Sequence, residues 1–465
     1  MPDPKTDSGA LDRGSFRDPS GFVFEFRGEI HRQVNVCYRD DYERLMGSGL
    51  YAGLTEAGLL IPHAEADASL ACSPEAFRVI RPEPISFISY PYEWCFGQLR
   101  DAALATLEIQ RRALDFGMQL KDASAYNIQF RRCRPVLIDT LSFERHEEGR
   151  PWVAYRQFCQ HFLAPLLLMS HRDVRLGQLL RVYLDGIPLD LTARLLPWFR
   201  SHFSFAILAH VRLHARSQSA FADRRLDSVT RKMSKHALLG LVDNLQAAIG
   251  RLCWKAGPST WGGYYTEEHS YSNRGLEHKL SLVREYLERI SPARVWDLGA
   301  NTGLFSRVAA ELGIPTLAFD FDPLAVELHY RQCRQEGSGR ILPLLLDLTN
   351  PSPALGWENR ERKSIWERGP ADCIMALALV HHLAIANNVP LPMLAGFFAG
   401  ACRTLIVEFV PKTDPQTQRL LASREDIFPG YTLAGFESAF GRHFETLRSE
   451  PIEQSERRLY LMQRR

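Results

Sequence analysis

The stretch Val295-Trp296-Asp297-Leu298-Gly299-Ala300-Asn301-Thr302-Gly303 joins a short apolar run to a loop that contains two glycines. A helical pattern over residues 304–308 follows the loop directly. Glycine at 299 and 303 removes side chains that would block a ligand lying over the turn, and the start of the helix offers free N–H groups. The stretch therefore predicts a strand, a ligand-binding loop and a helix, although a glycine loop alone has low specificity.

Asp320 raises the specificity of this prediction. It lies 21 residues after Gly299, at the end of the next strand-like run, where an acidic side chain can accept both hydroxyls of a ribose. Asp322 competes for that role, but it precedes Pro323 and a helical run, the arrangement of an N-cap followed by proline at the first helical position. We therefore expect Asp320 to bind ribose and Asp322 to cap a helix.

The chain after residue 293 alternates strand-like apolar runs with helical patterns. Alternation at this spacing indicates parallel βαβ units, and two late runs separated by a turn indicate a closing hairpin. The predicted fold class is α/β with a Rossmann-like domain. The parallel strands are predicted at 294–298, 316–319, 341–346, 372–379 and 404–409, and the hairpin at 443–447 and 458–462.

The combination of Asp297-Leu298-Gly299-Ala300-Asn301-Thr302-Gly303, Asp320, Asp347 and the closing hairpin resembles class I S-adenosylmethionine-dependent methyltransferases over residues 260–465. In that family the loop usually has three glycines, and Asn301 occupies the middle position here. Asparagine tolerates a left-handed backbone better than other side chains, so the departure is a small one. The acidic Asp297 suits the cationic amino acid part of the methyl donor, and the lack of G-x-G-x-x-G disfavours an NAD-dependent enzyme.

The resemblance implies S-adenosyl-L-methionine as cofactor, bound by the loop and by the next two strand ends. Asp347 ends the third strand, where its carboxylate and the adjoining Leu348 would meet the adenine edge; a turn or cap before Asn350-Pro351 is the alternative. The predicted donor-binding residues are Asp297, Gly299, Asn301, Gly303, Asp320, Asp347 and Leu348.

The segment Ala378-Leu379-Val380-His381-His382-Leu383 ends the fourth predicted strand, at the carboxyl edge where open α/β sheets hold their ligands. His381 or His382 would take a proton from an acceptor hydroxyl, because the ordinary pKa of histidine lies near neutrality. Alternatively, one or both orient the methyl donor or satisfy a local hydrogen bond, since in-line positioning supplies much of the acceleration of methyl transfer. No N-P-P-Y sequence follows, so the amine-methylating version of the family is not indicated.

Two further segments are candidates for shaping the acceptor pocket, although packing and capping explain each of them equally well. One segment precedes the Rossmann core, and the other leaves the fifth strand. They are Trp261-Gly262-Gly263-Tyr264-Tyr265 with His269, Ser270, Tyr271 and Arg274, and Glu408-Phe409-Val410-Pro411-Lys412.

The N-terminal half contains Lys121-Asp122-Ala123-Ser124-Ala125-Tyr126-Asn127-Ile128, with Asp139 twelve residues after Asn127. This segment is similar to the catalytic loop of protein kinases, in which such an Asp contacts the substrate hydroxyl while the Asn and a later Asp bind Mg²⁺. The resemblance implies a mainly helical, α+β kinase-like domain. If that domain is active, it also implies Mg-ATP as a second ligand, with Asp122, Asn127 and Asp139 as catalytic residues.

The same half departs from the kinase pattern at several positions. Lys121 replaces the usual Arg, Thr140-Leu141 stands where Phe-Gly is expected, and residues 20–85 contain no convincing glycine-rich loop or V-A-I-K lysine. A hairpin around Asp18-Pro19-Ser20-Gly21 is a candidate for a degenerate phosphate loop. Alternation and periodicity further predict a hairpin over 21–36, a strand over 84–91 and a helix over 99–118.

Bulk properties limit the remaining classes of protein. The 465 residues are too many for one ordinary core, and 45% hydrophobic with 24% charged residues is typical of globular proteins. A net charge of +2 gives no reason to expect a nucleic acid partner. The nine cysteines are scattered without C-x-x-C, so neither a disulfide framework nor a metal site is indicated. A polar, acidic N-terminus and the lack of a long apolar run predict a cytoplasmic protein without a membrane span.

The predicted organisation is a flexible terminus at 1–20, a kinase-like or pseudokinase domain at 21–215, a helical linker at 216–258 and a methyltransferase domain at 259–465. The whole chain is similar to a group of bacterial methyltransferases related to the nodulation protein NoeA, which implies nothing firm about the acceptor. We expect methyl transfer from S-adenosylmethionine to a small-molecule or glycan acceptor that the N-terminal half positions. The alternatives are a bifunctional kinase-methyltransferase that phosphorylates and then methylates an acceptor, and a non-catalytic binding module.

Overall fold

The computed structural model describes residues 10–196, 233–255, 271–422 and 424–465. Contacts divide the chain into two compact units. The N-terminal unit comprises Met1–Lys255 with Ala354–Arg362, and the C-terminal unit comprises Ala256–Pro353 with Lys363–Arg465. The sequence did not predict that Ala354–Arg362 belongs with the first unit. The predicted pocket segment at 261–270 and the first part of the predicted linker lie outside the described residues.

Within the described part of the N-terminal unit, a five-stranded antiparallel sheet takes the order β1-β2-β3-β5-β4. The hairpin predicted over 21–36 is confirmed as β2 and β3, joined by Arg27 and Gly28 at positive φ, as a two-residue type I′ turn requires. Two short hairpin-like pairs, β6 with β9 and β7 with β8, lie further along the chain. The strands are β1 Ala10–Leu11, β2 Gly21–Phe26, β3 Glu29–Asn35, β4 His63–Glu65, β5 Ala76–Pro82, β6 Met118–Leu120, β7 Ile128–Arg131, β8 Arg134–Leu137 and β9 Phe143–Arg145.

The helices of this unit pack mainly around α3. The helix predicted over 99–118 is observed three residues earlier, as α3, and buries apolar side chains along most of its length. Helix α8 packs along α3 and buries Leu238, Val242 and Leu245, so the end of the predicted linker belongs to the core of this unit. The helices are α1 Arg39–Gly47, α2 Leu50–Glu56, α3 Phe96–Asp115, α4 Tyr155–Phe158, α5 Ala164–His171, α6 Leu179–Val182, α7 Leu189–Leu195 and α8 Lys235–Arg251, with a π-helical turn at Cys159–Leu163.

The strand predicted at 84–91 is wrong. Strand β5 ends at Pro82, and the chain then runs without regular structure to a 3-10 turn at Pro91–Glu93. The side chain of Gln129 accepts a hydrogen bond from the Ser89 N–H at 2.8 Å and donates one to the Ser89 carbonyl at 2.9 Å. A buried amide side chain therefore takes the place of a neighbouring strand. The apolar residues of this segment include buried Phe87 and exposed Ile88.

Residues Ala354–Arg362 make their contacts in the N-terminal unit although the sequence before and after them belongs to the other unit. Glu361 accepts hydrogen bonds from Arg17, the shorter at 2.7 Å, and the Arg362 guanidinium lies 4.3 Å from the centre of the Tyr126 ring. The segment therefore contacts both the loop that precedes β2 and the predicted kinase-like loop.

The C-terminal unit has, within its described residues, a seven-stranded sheet of order β12-β11-β10-β13-β14-β16-β15. The first five strands are parallel, whereas β16 runs antiparallel to β14 and β15. The parallel part follows the order 3-2-1-4-5 of doubly wound sheets, whose switch point lies between β10 and β13. The predicted Rossmann-like architecture and closing hairpin are confirmed. The strands are β10 Val295–Leu298, β11 Thr316–Asp320, β12 Ile341–Leu345, β13 Ala371–Ala376, β14 Cys402–Phe409, β15 Phe444–Pro451 and β16 Arg458–Arg464.

Helices cover this sheet, and α9 and α10 contribute to one apolar core with β10, β13, β14 and β16. The largest contributions from the two helices come from Tyr286, Leu287 and Phe305, all nearly inaccessible to solvent. The helices are α9 Asn273–Ile290, α10 Leu304–Glu311, α11 Pro323–Glu336, α12 Leu391–Ala401, α13 Pro415–Leu421 and α14 Leu433–Gly441, with a π-helical turn at His382–Ala386.

Among the described helices of both units, none combines the length and the apolar character that crossing a lipid bilayer requires. All nine cysteines lie within the described residues, and each is a free thiol.

Candidate functional site

The glycine loop, residues 297–303, leaves β10 at the carboxyl edge of the sheet and ends where α10 begins. The N–H groups of Gly299 and Ala300 donate to the Phe319 carbonyl of β11 at 2.8 and 2.9 Å. Gly299, Asn301 and Gly303 have φ angles of 76°, 51° and 81°. Asn301 therefore adopts the left-handed conformation that its side chain tolerates, and the missing middle glycine leaves the shape of the loop intact.

Both glycines of the loop also lie against neighbouring side chains. A Cβ at Gly303 would stand 2.0 Å from Nε2 of His329 on α11, well inside contact distance. A Cβ at Gly299 would stand 3.4 Å from Cδ1 of Leu379, which follows β13. The loop thus lies between helix α11 and the segment that follows β13.

Asp320 is the buried carboxylate that ends β11. Its Oδ2 accepts the Asn301 N–H at 2.8 Å, and its Oδ1 accepts the Asp322 N–H at 2.9 Å. Burial raises the pKa of Asp320 to about 6. The predicted N-cap at Asp322 is confirmed, since its side chain accepts the Leu324 N–H at 2.9 Å. Asp320 therefore already shapes the glycine loop, and its ribose contact stays a prediction.

Asp297, at the end of β10, is the second buried carboxylate of the site. Its Oδ2 accepts a hydrogen bond from Ser306 at 2.6 Å. Burial raises the pKa of Asp297 to about 6, although Ser306 and the charge of Lys279 favour the ionised form. Two carboxyl groups that share a buried site gain strongly from a cationic or hydrogen-bond-donating ligand.

The two residues predicted to meet adenine differ in their surroundings. Asp347 is exposed, and its Oδ1 accepts the Thr349 N–H at 2.8 Å and the Thr349 hydroxyl at 2.6 Å. These are the contacts of a turn, which was the alternative for Asp347. Leu348 is half-buried, and its contact with a ligand stays a prediction.

Phe321 is a residue of this edge that the sequence analysis missed. It stands between the buried side chains of Asp320 and Asp322, yet its own side chain is 60% exposed. A large apolar side chain exposed at a ligand-binding edge offers a flat surface for a planar group. The signal available in the sequence was an aromatic residue placed directly after the predicted ribose-binding carboxylate.

His381 and His382 follow β13, and their ring centres lie 4.1 Å apart. His381 is 1% exposed, and neither of its ring nitrogens has a hydrogen-bond partner among the described residues. Burial, together with His382, Arg457 and Lys279, lowers the pKa of His381 well below its usual value, and burial lowers the pKa of His382 to about 4. Both rings are therefore neutral near pH 7, and each offers a ring nitrogen that can accept a hydrogen bond.

A buried charged cluster lies next to the two histidines and is formed by Tyr271, Lys279, Glu408, Asp414 and Arg457. The Glu408 carboxylate, at the end of β14, accepts hydrogen bonds from Lys279 at 2.6 Å, from the Ala378 N–H at 2.8 Å and from the Tyr271 hydroxyl. Burial opposes the ionisation of Glu408, but Lys279 and Arg457 outweigh it and lower its pKa. Tyr271 and Glu408 are therefore held by buried hydrogen bonds, and their role in shaping an acceptor pocket stays a prediction.

The sequence analysis missed Lys279, Asp414 and Arg457. Lys279 is fully buried on α9, between the apolar positions Leu276 and Val283 of the same helical face. A cation within an apolar stripe is the signal that could have identified it, because buried lysines require a partner. The cluster holds Ala378, which has a φ of 50°, and so fixes the turn that carries Leu379 and the histidines.

In the N-terminal unit, the three kinase-like residues form one chain of hydrogen bonds in which Ser142 joins Asp139 to Asn127 and Asn127 bonds to Asp122. Ser142 donates to Asp139 at 2.9 Å and accepts from the Asn127 amide at 3.3 Å. The Asn127 side chain also bonds to Asp122. Burial and the charge of Asp139 raise the pKa of Asp122. The structure therefore brings Asp122, Asn127 and Asp139 together, and their catalytic roles stay predictions.

Arg32 and Lys121 lie beside these three residues. We call the whole group the Asp139 cluster, and its members are Asp18, Ser20, Arg32, Lys121, Asp122, Asn127, Asp139 and Ser142. Arg32 of β3 pairs with Asp139 at 2.7 Å, and Lys121 donates to the Ser20 hydroxyl at 2.6 Å. Asp18 lies 3.6 Å from Arg32 and 3.8 Å from Lys121. The sequence analysis did not identify Arg32, because the kinase pattern has a lysine within V-A-I-K, whereas Arg32 is an arginine outside such a motif.

The strand order, the glycine loop and the two buried carboxylates define the C-terminal unit as a Rossmann-like ligand-binding domain. Over 462 residues, the chain is 38% identical to the nodulation protein NoeA of Rhizobium meliloti (strain 1021), an alignment that covers 97% of this chain and 95% of that protein. The chain belongs to the NoeA family. No family model matches the sequence.

Solved structures share only a slight likeness with the chain. Magnesium protoporphyrin IX methyltransferase (ChlM) from Synechocystis PCC 6803 with bound SAH is 19% identical, covering 41% of this chain and 84% of that one, with a TM-score of 0.31. The bifunctional kinase-methyltransferase WbdD is 15% identical, covering 43% of this chain and 42% of that one, with a TM-score of 0.30. Likenesses at these TM-scores carry no argument about function.

Proposed function

We propose that the C-terminal unit binds S-adenosyl-L-methionine and transfers its methyl group to an acceptor. The observation that carries this proposal is the union of the glycine loop with Asp320, whose buried carboxylate accepts the Asn301 N–H at 2.8 Å. The loop and the acidic strand end are thereby one preorganised group at the carboxyl edge of the sheet, where such folds bind nucleotide-like ligands. When bound, the donor supplies an electrophilic methyl group on a sulfonium.

The residues present fit the chemical groups of this donor. Asp297 offers a carboxylate to its ammonium group, and Asp320 has acceptor capacity left for the ribose hydroxyls, because each carboxylate oxygen takes two hydrogen bonds. Phe321 offers an exposed face to the purine. Gly299 and Gly303 keep the loop free of side chains, and Leu379 supports it from the neighbouring strand.

His381 is the residue we propose for contact with the acceptor. Leaving both nitrogens of a buried imidazole without partners is unfavourable, so a ligand group that bonds to one of them gains free energy. Since the ring is neutral near pH 7, a nitrogen of His381 can accept a hydrogen bond from an acceptor hydroxyl and orient its oxygen toward the methyl group. His382 remains the second candidate for this role. The acceptor class that we propose is a small molecule or a glycan.

The test is a calorimetric titration of the full chain with S-adenosylmethionine and with its demethylated product. Asp320→Asn should weaken donor binding by about 1–3 kcal/mol, because a buried polar contact is lost. Asp322→Asn is the matched control, since it changes the neighbouring buried carboxylate that caps a helix. Absence of donor binding to the unmodified chain, or equal binding by the Asp320 variant, would contradict the proposal.

A second candidate function is phosphoryl transfer by the N-terminal unit, which would make the chain a bifunctional kinase-methyltransferase. The chain of hydrogen bonds that joins Asp122, Asn127 and Asp139 favours it. Asp122→Asn is expected to abolish turnover of Mg-ATP while leaving binding of the methyl donor unchanged. Turnover that survives in this variant would argue against a role for Asp122 in transfer.

A further inference from the structure

We propose that Tyr126, His161 and Arg362 form a further ligand site in the N-terminal unit, which binds a small molecule through a single carboxylate group. All three residues belong to that unit, because it includes Ala354–Arg362. The site uses neither the methyl donor nor the Asp139 cluster. The inference therefore depends on neither of the two candidate functions.

The first observation is that the backbone fixes the position of Arg362. Leu355 and Arg362 exchange two backbone hydrogen bonds, of 3.0 and 3.1 Å, across a tight turn. The carboxylate of Glu361, the adjoining acid, accepts the Trp357 N–H at 2.9 Å and pairs with Arg17 at 2.7 Å. The turn therefore presents the guanidinium of Arg362 from a fixed point, and the neighbouring acid is engaged with another cation.

The second observation is that Arg362 has hydrogen-bonding capacity left. Its guanidinium lies 4.3 Å from the centre of the Tyr126 ring, and its Nη1 donates to the Glu361 carbonyl at 3.2 Å. Its Nε is buried and has no partner among the described residues. A cation–π contact uses the face of a guanidinium and leaves the N–H groups in its plane available. The contact with Tyr126 therefore does not satisfy Nε.

His161 supplies a second hydrogen-bonding group. It lies in the π-helical turn Cys159–Leu163, a kind of turn that occurs frequently at functional sites, and it is 2% exposed. Its ring meets the edge of Tyr126 with centres 6.0 Å apart, and its Nδ1 has no partner among the described residues. Burial and the charge of Arg362 lower the pKa of His161 to about 3. The ring is therefore neutral near pH 7, and Nδ1 donates or accepts according to the tautomer.

The charges around Tyr126 favour an anion with one negative charge. Burial raises the pKa of Tyr126, and Arg362 is the nearby charge that opposes this rise most strongly. The carboxylates of Glu93 and Asp185 add to the rise, each by less than Arg362 opposes it. One cation balances one carboxylate, whereas a phosphate dianion would bring a second charge near these two acids without a counter-charge.

A carboxylate satisfies both of the unpartnered groups. Its two oxygens match the planar fork of the Arg362 guanidinium, and the lone pairs that remain accept the Nδ1–H of His161 in the corresponding tautomer. Because both groups border the ring of Tyr126, one ligand can meet both. The carboxylate is the chemistry that these residues specify, and both an aromatic acid and a sugar acid carry it.

Calorimetry on the full chain tests the inference with benzoate, glucuronate, their neutral counterparts benzamide and glucose, and inorganic phosphate. We expect at least one of the two carboxylates to bind at least about tenfold tighter than its neutral counterpart and than phosphate. Binding of benzoate alone would identify an aromatic acid, and binding of glucuronate alone a sugar acid. The inference is overturned if neither carboxylate binds up to about 10 mM, if a neutral counterpart binds equally well, or if phosphate binds more tightly.

Substitutions then assign the binding to these residues. Arg362→Gln should weaken binding of the carboxylate by about tenfold or more, because a charge-assisted hydrogen bond is lost. Arg360→Gln is the matched control, since Arg360 is an exposed arginine of the same turn that pairs with Glu358. A folded Arg362→Gln chain that binds the carboxylate as tightly as the unmodified chain would refute the site.

His161 is tested by two substitutions that differ at the position of Nδ1. His161→Phe keeps an aromatic ring without the nitrogen, and we expect the affinity to fall by about fivefold, the value of one neutral hydrogen bond. His161→Asn keeps an amide nitrogen close to the position of Nδ1 and should restore most of the affinity. Equal affinities of the two variants would remove His161 from the site. The titrations of the unmodified chain stay decisive even if a variant fails to fold.

Discussion

The glycine loop of the C-terminal unit and the Asp139 cluster of the N-terminal unit are held in shape by different interactions. Backbone hydrogen bonds and three residues at positive φ define the loop. Ion pairs and hydroxyl contacts between side chains define the cluster, whose members come from residues 18–142. A backbone-defined site is rigid before its ligand arrives, whereas ion pairs can exchange one partner for another.

This difference explains why the shape of the loop was predicted from sequence whereas the ion pairs of the cluster were not. The positive-φ residues of the loop are neighbours in sequence, which a motif records, although its hydrogen bonds also reach Phe319 and Asp320 of the next strand. A cluster shaped by side-chain charges depends on which residues the fold brings together. The four predictions that follow test the contrast, in order of decreasing expected effect.

Gly303→Ala should cause the largest loss of stability. Alanine must adopt a φ near 81°, and its Cβ would overlap His329 at 2.0 Å. Strain and overlap together should lower the free energy of unfolding by about 2–5 kcal/mol, measured by urea denaturation. Gly313→Ala is the matched control at the other end of α10, because it has the same φ but no atom closer than 4.0 Å. Equal losses in both variants would show that the contact with His329 has no energetic role.

The affinity for the methyl donor should fall in acid. Burial raises the pKa values of Asp297 and Asp320 from 3.8 to about 6. In the ligand-free protein, the contribution of these carboxyl groups to the free energy of unfolding is therefore complete below about pH 4, where they are protonated, and is lost as the pH rises through 6. Donor binding uses the ionised carboxylates and has the opposite dependence. We expect the affinity to drop below about pH 6, by up to about 1.4 kcal/mol per pH unit for each carboxylate that must be ionised. Calorimetry that finds constant affinity between about pH 5 and pH 8 would exclude a charge-dependent role for both residues.

Ser142→Ala should have a moderate effect on the Asp139 cluster. It removes the hydroxyl that joins Asp139 to Asn127 but leaves the Arg32 ion pair in place. We expect the free energy of unfolding to fall by about 1–2 kcal/mol, because two hydrogen bonds of the hydroxyl are lost. Urea denaturation measures this loss, and an unchanged free energy of unfolding would show that the hydroxyl has no energetic role in the cluster.

The sequence predicted the elements and residues whose determinants are contiguous. The glycine loop, the cap at Asp322 and the hairpin of β2 and β3 each depend on a few neighbouring residues, and the structure contains all three. The alternation of strand and helix patterns likewise predicted the parallel sheet and its closing hairpin. The resemblance to the kinase catalytic loop identified Asp122, Asn127 and Asp139, and the fold brings them together.

The features that the sequence did not reveal depend on distant partners. Lys279 and Glu408 are 129 positions apart, and no local sequence pattern indicates that their charges neutralise each other within the core. Arg32 was missed for the same reason, because only the fold places it beside Asp139. The wrong strand at 84–91 has a related cause, since the Gln129 side chain satisfies the backbone groups that a neighbouring strand would otherwise pair.

Asp347→Asn should have the smallest effect on stability and donor affinity. It decides whether Asp347 contacts the adenine edge or only stabilises a turn. Asparagine can still accept the Thr349 N–H and preserve the turn, while the negative charge is removed. Because Asp347 is exposed, we expect changes below about 0.5 kcal/mol in both the free energy of unfolding and donor affinity. A selective loss of donor affinity at unchanged stability would instead place its carboxylate at the adenine edge. In that case the backbone-defined site would extend beyond the glycine loop to a third strand end.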